Sequence, residues 1–83
     1  ALSSRMFNDR NGCTVFMMIT SAAQSRWFLD VDLKEWKGAG LRKPCVARMK
    51  LFTLDNRLIL ARTGALSETD RRSVVACLRE ALP

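Results

Sequence analysis

At 83 residues the chain forms one domain at most, and a domain of this size buries only roughly 60–65% of the surface it exposes unfolded, so the core is marginal. Fourteen Lys and Arg against eight Asp and Glu give a formal charge of +6, which favours phosphate-bearing or acidic partners, while the lack of histidine argues against hydrolases that activate Ser or Cys through an imidazole. Cys13, Cys45 and Cys77 stand singly with no CxxC pair, and no run approaches the length of a membrane span; zinc, disulfides and a bilayer are therefore not expected, and the reading is a cytoplasmic protein.

In chain order, Asn11-Gly12 predicts a turn that leads into an apolar run. Residues 13–20 are β-branched and bulky and read as a strand buried on both faces; it ends on Thr20-Ser21, after which a short polar loop follows. In "FLDVDL", Leu29, Val31 and Leu33 alternate with Asp30 and Asp32, the pattern of a strand with one wet face. The glycines of "KEWKGAGL" predict a loop or a single helical turn. A third strand is expected over 45–51, entered through Pro44, and a fourth over 58–62 after the polar turn "LDNR".

Ser67-Glu68-Thr69-Asp70 has the spacing of a capping box, with Asp70 in place of the usual Glu reaching back to the cap. Val74, Val75, Leu78, Ala81 and Leu82 share a face, so residues 68–82 predict an amphipathic helix packed on the strands. Several strands followed by one helix predict a mostly β fold, a small barrel or curled sheet closed by a C-terminal helix.

Without histidine, a site must be built from Arg, Lys, Asp, Glu, Thr, Ser or Cys. No glycine-rich phosphate loop of the GxxxxGK[ST] or GxGxxG type is present. One reaction suits the inventory: cleavage of RNA by its own 2′-hydroxyl, in which arginine neutralises charge on the phosphoryl oxygens and a hydroxyl fixes one of them. A strand end carrying Thr20 and Ser21 beside a strand carrying Arg48 supplies these groups if the two strands pair.

The segments "MMITSAAQSRWFLDVDL", "AGLRKPCVARMKLFTLDNRLIL" and "GALSETDRRSVVACLREAL" together resemble the PemK/MazF family of toxin ribonucleases over most of the chain, from 13 to 82. The resemblance implies a small SH3-like barrel of the PemK/MazF/CcdB type with a C-terminal helix. It also implies a homodimer, cleavage of single-stranded RNA without metal or cofactor, and a cognate antitoxin whose acidic or disordered tail fills the groove. Carried over by position, Thr20 and Ser21 match the family's Thr-Ser pair, and Arg48 matches an arginine of the later strand, although an alternative alignment puts Ala47 there. In this scheme Thr20 orients a phosphoryl oxygen and Arg48 stabilises the charged transition state and can donate a proton to the leaving oxygen. Members begin with a strand bearing "GD" or "GE", a loop and then "RPALV"; this chain opens at "ALSSRMFND", so 1–83 is expected to be a single domain lacking that first strand and loop.

Other readings compete at each position. Thr20-Ser21 can simply end a strand in a turn, and Arg48 can be a surface charge. Arg26, Lys43 and Lys50 are candidate RNA contacts, and Lys34, Lys37, Arg42 and Lys43 form a basic cluster around the glycine loop that could equally be a solvated loop. Trp27 and Trp36 are expected in the core or a dimer interface rather than stacked on bases, Asp30 and Asp32 on a polar outer face, and Arg71 and Arg72 in solvent. The rival functions are an inactive homologue that binds antitoxin or toxin, and a CcdB-like gyrase inhibitor.

Overall fold

The computed structural model describes residues 1–23 and 26–83. Residues 24–25 of the polar loop lie outside the described residues. The order is helix α1 (Arg5–Asn11), strand β1 (Cys13–Ser21), short strand β2 (Val31–Asp32), strand β3 (Cys45–Asp55), a 3₁₀ turn (Asn56–Leu58) and helix α2 (Glu68–Ala81). The strands form one antiparallel sheet in the order β1-β3-β2.

The N-terminal helix departs from expectation. Gly12 adopts the left-handed conformation (φ 69°) of a helix C-terminus, its N–H donating to the Asn8 carbonyl at 3.0 Å, and the Ser4 hydroxyl caps the other end by accepting from the Phe7 N–H. The Asn-Gly signal thus stops a helix rather than forming a hairpin turn. Short as it is, α1 is tied down by Asn56, whose side-chain amide donates to the Asn8 carbonyl at 2.8 Å and whose backbone N–H donates to the Gly12 carbonyl at 3.0 Å. Asn56 also accepts from the hydroxyl of buried Thr14 at 2.7 Å.

Strand β1 is half-buried rather than buried on both faces; of its residues only Thr14 is buried, because β1 is an outer strand of the sheet. Its free edge is met in part by the N-terminal residues: the Leu2 N–H donates to the Val15 carbonyl and the Val15 N–H donates to the Ser3 hydroxyl. Strand β3 is central and longer than predicted, reaching Asp55. There the carboxylate of Asp55 accepts from the backbone and the guanidinium of Arg57, turning the chain into the 3₁₀ turn. The fourth strand expected over 58–62 does not form. This run finds no partner strand among the described residues, and Leu58 and Leu60 are exposed.

The glycine loop is a set of turns, as the sequence predicts. It lies against the segment before α2 so closely that a methyl group on Gly64 would collide with the Ala39 carbonyl. The core is small: Val31, Leu33, Cys45, Ala47 and Val74, with Met17, Trp36, Leu41, Met49, Leu66 and Cys77 packed around it. Trp36 is therefore a packing residue, as expected. Helix α2 contributes a narrower face than its pattern suggested, since Val74 is buried while Val75 and Leu82 are exposed. No helix among the described residues is long and apolar enough to cross a membrane.

Asp70 is the least expected element of the core. Ser67 caps α2 by accepting from the Asp70 N–H, but the carboxylate of Asp70 does not complete a capping box. Only 1% exposed, it instead accepts from the Lys34 and Glu35 N–H groups, both at 2.9 Å, and so ties the start of α2 to the turn after β2. A carboxylate satisfied by two backbone donors contributes more than a simple cap, and its loss removes the partner of both donors at once. We predict that Asp70→Ala lowers unfolding free energy by roughly 3 kcal/mol, whereas Ser67→Ala costs about 1 kcal/mol. Urea denaturation followed by circular dichroism checks the ranking; equal losses would show that Asp70 acts only as a helix cap.

Candidate functional site

The register of β1 and β3 decides which predicted residues meet. Ser21 pairs with Cys45, Thr20 with Val46, Ile19 with Ala47 and Met18 with Arg48. Cross-strand partners share a face and alternate residues return to it, so Thr20, Met18, Val46 and Arg48 lie on one face. Thr20 and Arg48 are diagonal neighbours there, a relation that places residues roughly 7–8 Å apart, within reach of a long side chain. Asp32 pairs with Val46 and shares this face. Cys45 and Ala47 point the other way, into the core beneath α2.

Directly beyond Arg48 the ladder slips. Met18 pairs with Arg48 but Met17 with Leu51, which leaves Met49 and Lys50 without residues opposite them in a bulge of β3. Bulges re-aim the side chains around them. Lys50 is thereby exposed one step from Arg48.

Arg48 is not a surface charge: it is 7% exposed. Its Nε donates to Asp30 Oδ1 at 3.2 Å and a terminal nitrogen donates to Asp30 Oδ2 at 2.9 Å, a forked pair. Its guanidinium carbon lies 4.9 Å from the centre of the Trp27 ring, in cation–π geometry. The carboxylate of Asp30 also accepts from the Trp27 N–H at 3.0 Å. Between them Leu29 takes a left-handed φ of 67°, a conformation that costs a side-chain-bearing residue about 1–3 kcal/mol and persists only where its surroundings fix it.

This corrects one expectation and narrows another. Asp30 does not lie on a polar outer face, because the left-handed Leu29 breaks the alternation, limits β2 to two residues and brings the carboxylate over the sheet with its side chain only 2% exposed. Of the two places expected for Trp27, a core or a dimer interface, the core is excluded: it is 47% exposed, and Phe28 beside it is 89% exposed. Asp32 does remain outside, exposed and paired with the exposed Arg26 at 2.9 Å.

The remaining candidates gather at the same end of the sheet. Thr20 and Ser21 are half-buried. The Ser21 hydroxyl accepts from the Ala23 N–H at 3.2 Å, so it does close a turn, while its own proton stays available for donation. Lys43 is exposed just ahead of β3, where the Pro44 carbonyl accepts from the Ala22 N–H and joins the two strand ends. Lys34, Lys37 and Arg42 are exposed around the glycine loop, with the Lys37 ammonium 5.4 Å from the Trp36 ring. Arg71 and Arg72 are exposed on α2 and pair with Glu68. A cleft of about 990 Å³ lies elsewhere: it is lined by Leu2, Phe16, Ile59, Ala65 and Val75 among others, and touches neither Thr20 nor Arg48.

Sequence reasoning missed Asp30 and Trp27 as companions of Arg48. Both lay within reach of a pattern reading, but each depends on the backbone turn at Leu29, which no residue type announces. Among the described residues no group of three or more His, Cys, Asp or Glu is placed to hold a metal ion.

The hydrogen bond from Arg48 holds the Asp30 carboxyl below the usual carboxylate range, with the Trp27 N–H adding to it and burial opposing it. The same hydrogen bond raises the Arg48 guanidinium above its already high value. Since the folded pKa of Asp30 is depressed, its contribution to stability is complete above the unfolded carboxylate pKa of about 4 and is lost as pH falls through the lower folded value. Asp55 shifts in the same direction through its hydrogen bonds with Arg57. We predict that Asp30→Asn is less stable at neutral pH and shows a flatter decline of unfolding free energy below about pH 4, with Asp55 supplying the slope that remains. Denaturant titrations across the acid range test this; a variant that parallels the parent at every pH would show that the pair does not couple to folding.

Compared with models of protein families, residues 1–82 match the one described as PemK-like, MazF-like toxin of type II toxin-antitoxin system. No match is found among curated protein sequences.

Proposed function

The chain belongs to the PemK-like, MazF-like toxin family of type II toxin-antitoxin systems, and on that premise we propose that it is an endoribonuclease that cleaves single-stranded RNA without a metal ion. The observation that carries this reading is the shared sheet face of Thr20 and Arg48, with cations at Arg26, Lys43 and Lys50 around it. The phosphate of the scissile bond sits between the Thr20 hydroxyl and Arg48. The 2′-oxygen attacks phosphorus as the bond to the 5′-oxygen breaks, leaving a cyclic 2′,3′-phosphate and a 5′-hydroxyl. Thr20 donates to a phosphoryl oxygen and Arg48 stabilises the charge that develops on the phosphoryl group, while Ser21, whose strand partner Cys45 lies on the core face, borders the site at the strand end. Held in a fork by Asp30, Arg48 serves as a fixed positive charge beside the phosphate. Both the 2′ proton and the proton gained by the 5′-oxygen are exchanged with solvent.

In this reading the three strands and α2 are part of an SH3-like barrel, the active form is a homodimer in the cytoplasm, and a cognate antitoxin covers the basic face. A system of this class implies the antitoxin; an acidic segment of it suits a chain of charge +6.

One observation favours a second reading, a module that binds RNA or antitoxin without cleaving. Asp30 already balances the charge of Arg48, which reduces what the guanidinium can offer a transition state. Incubation with a long single-stranded RNA in EDTA separates the two. We predict cleavage that persists in EDTA and leaves cyclic phosphate ends. Arg48→Ala lowers kcat/KM roughly 10²–10³-fold, the usual cost of removing one charge-stabilising donor, and Thr20→Ala lowers it measurably. Intact RNA at high protein concentration favours the binding module, and full activity in Arg48→Ala removes Arg48 from the mechanism.

A further inference from the structure

Trp27 has three restraints and no core to fill. Its ring lies over the Arg48 guanidinium at 4.9 Å, its N–H donates to Asp30, and its carbonyl accepts from the Asp30 N–H at 3.2 Å. Yet it is 47% exposed, and with one ring face against Arg48 that exposure belongs to the opposite face and the edges. A tryptophan recruited for packing buries its apolar surface, since burial is what the hydrophobic effect rewards. Here the chain accepts a left-handed leucine and a buried ion pair, and the result is an indole held against a guanidinium while the residue stays half in water. Phe28 follows at 89% exposure, so the loop presents two adjacent aromatic side chains.

The surroundings indicate what such a surface receives. Arg26 precedes it, Lys50 is exposed at the bulge beyond Arg48, and the formal charge is +6. An aromatic surface within a positive field suits a ligand with a flat π-face and a negative backbone. A rigid ring also loses little conformational freedom on binding.

We infer that Trp27 is a stacking platform for an unpaired nucleobase of the RNA, the base next to the phosphate held by Thr20 and Arg48. This rests on the proposal that the sheet face binds RNA. The arrangement is layered, base on indole and indole on guanidinium, with the carboxylate of Asp30 hydrogen-bonded to the edge of the guanidinium. Arg48 then has two tasks, as a charge beside the phosphate and as the support beneath the ring. Phe28 is free to stack on a neighbouring base. Sequence preference at that position follows stacking strength more than hydrogen bonding.

The test uses the full chain and a fluorescently labelled single-stranded RNA made uncleavable by 2′-O-methyl groups, read by anisotropy. Trp27→Ala is expected to weaken binding about 5- to 100-fold and Trp27→Phe by less. An RNA lacking one base, moved along the sequence, is expected to lose affinity at one position for the parent and to lose nothing more there for Trp27→Ala. That second arm varies the ligand, so it holds even if Trp27→Ala folds poorly. Indole fluorescence is expected to be quenched on RNA addition in the parent and not in Trp27→Phe, which keeps Trp36. Equal affinity of parent and Trp27→Ala, or a flat scan of missing bases, overturns the platform while leaving RNA binding standing. A change in oligomeric state alone in Trp27→Ala also overturns it, in favour of a protein contact. An RNA that does not bind the parent at all overturns both the platform and the reading it rests on.

Discussion

A guanidinium on the central strand of a small sheet cannot be left uncompensated, and much of this fold follows from how Arg48 is matched. Taking a charge out of water costs several kcal/mol unless a partner of good geometry meets it. Asp30 is that partner, and to reach Arg48 the chain must leave the extended path, which it does through the left-handed Leu29. The shortness of β2 and the position of Trp27 over the guanidinium are consequences of the same turn. The bulge at Met49 and Lys50 releases the strand from its register directly past the pair. The proposed cleavage needs a fixed positive charge beside a hydroxyl; a forked ion pair fixes the charge and partly balances it.

The two faces of the sheet divide the work. One packs Cys45 and Ala47 against Val74 of α2, and the carboxylate of Asp70 joins the helix to the turn after β2. The other carries Thr20, Val46, Arg48 and Asp32, covered in part by the loop that holds Trp27 and Asp30. A buried carboxylate therefore organises each face: Asp70 gathers backbone donors for stability, and Asp30 gathers an arginine and a tryptophan N–H. Such a separation keeps the left-handed turn at Leu29 apart from the contacts that hold the helix.

What the sequence disclosed was mostly what local rules govern. The two long strands, the glycine loop and the C-terminal helix were legible because periodicity, β-branching and the Ser67 cap act over a few residues. The side-by-side placement of Thr20 and Arg48 was legible only as a condition, that their strands pair. The errors share a different cause. Asn11-Gly12 announces a turn but not the helix before it, which is tied down by distant Asn56. The apolar run 58–62 has strand composition but no strand beside it among the described residues. Asp30 looked like the wet half of an alternating strand, and Asp70 like half of a capping box, because the arginine and the backbone donors that claim them lie 18 and 35 or 36 residues away in sequence. Long-range polar pairing leaves little trace in a single sequence.

The central claim is that Thr20 and Arg48 grip one phosphate, and a double-mutant cycle measures it most directly. Thr20→Ala, Arg48→Lys and the double variant are titrated with an uncleavable single-stranded RNA; lysine keeps the charge and removes the fork. Groups that share a ligand atom are coupled, and the account predicts a coupling energy of about 1 kcal/mol or more. Losses that add to within about 0.3–0.5 kcal/mol would mean that the two side chains act at separate places, and the site would have to be sought elsewhere on the molecule.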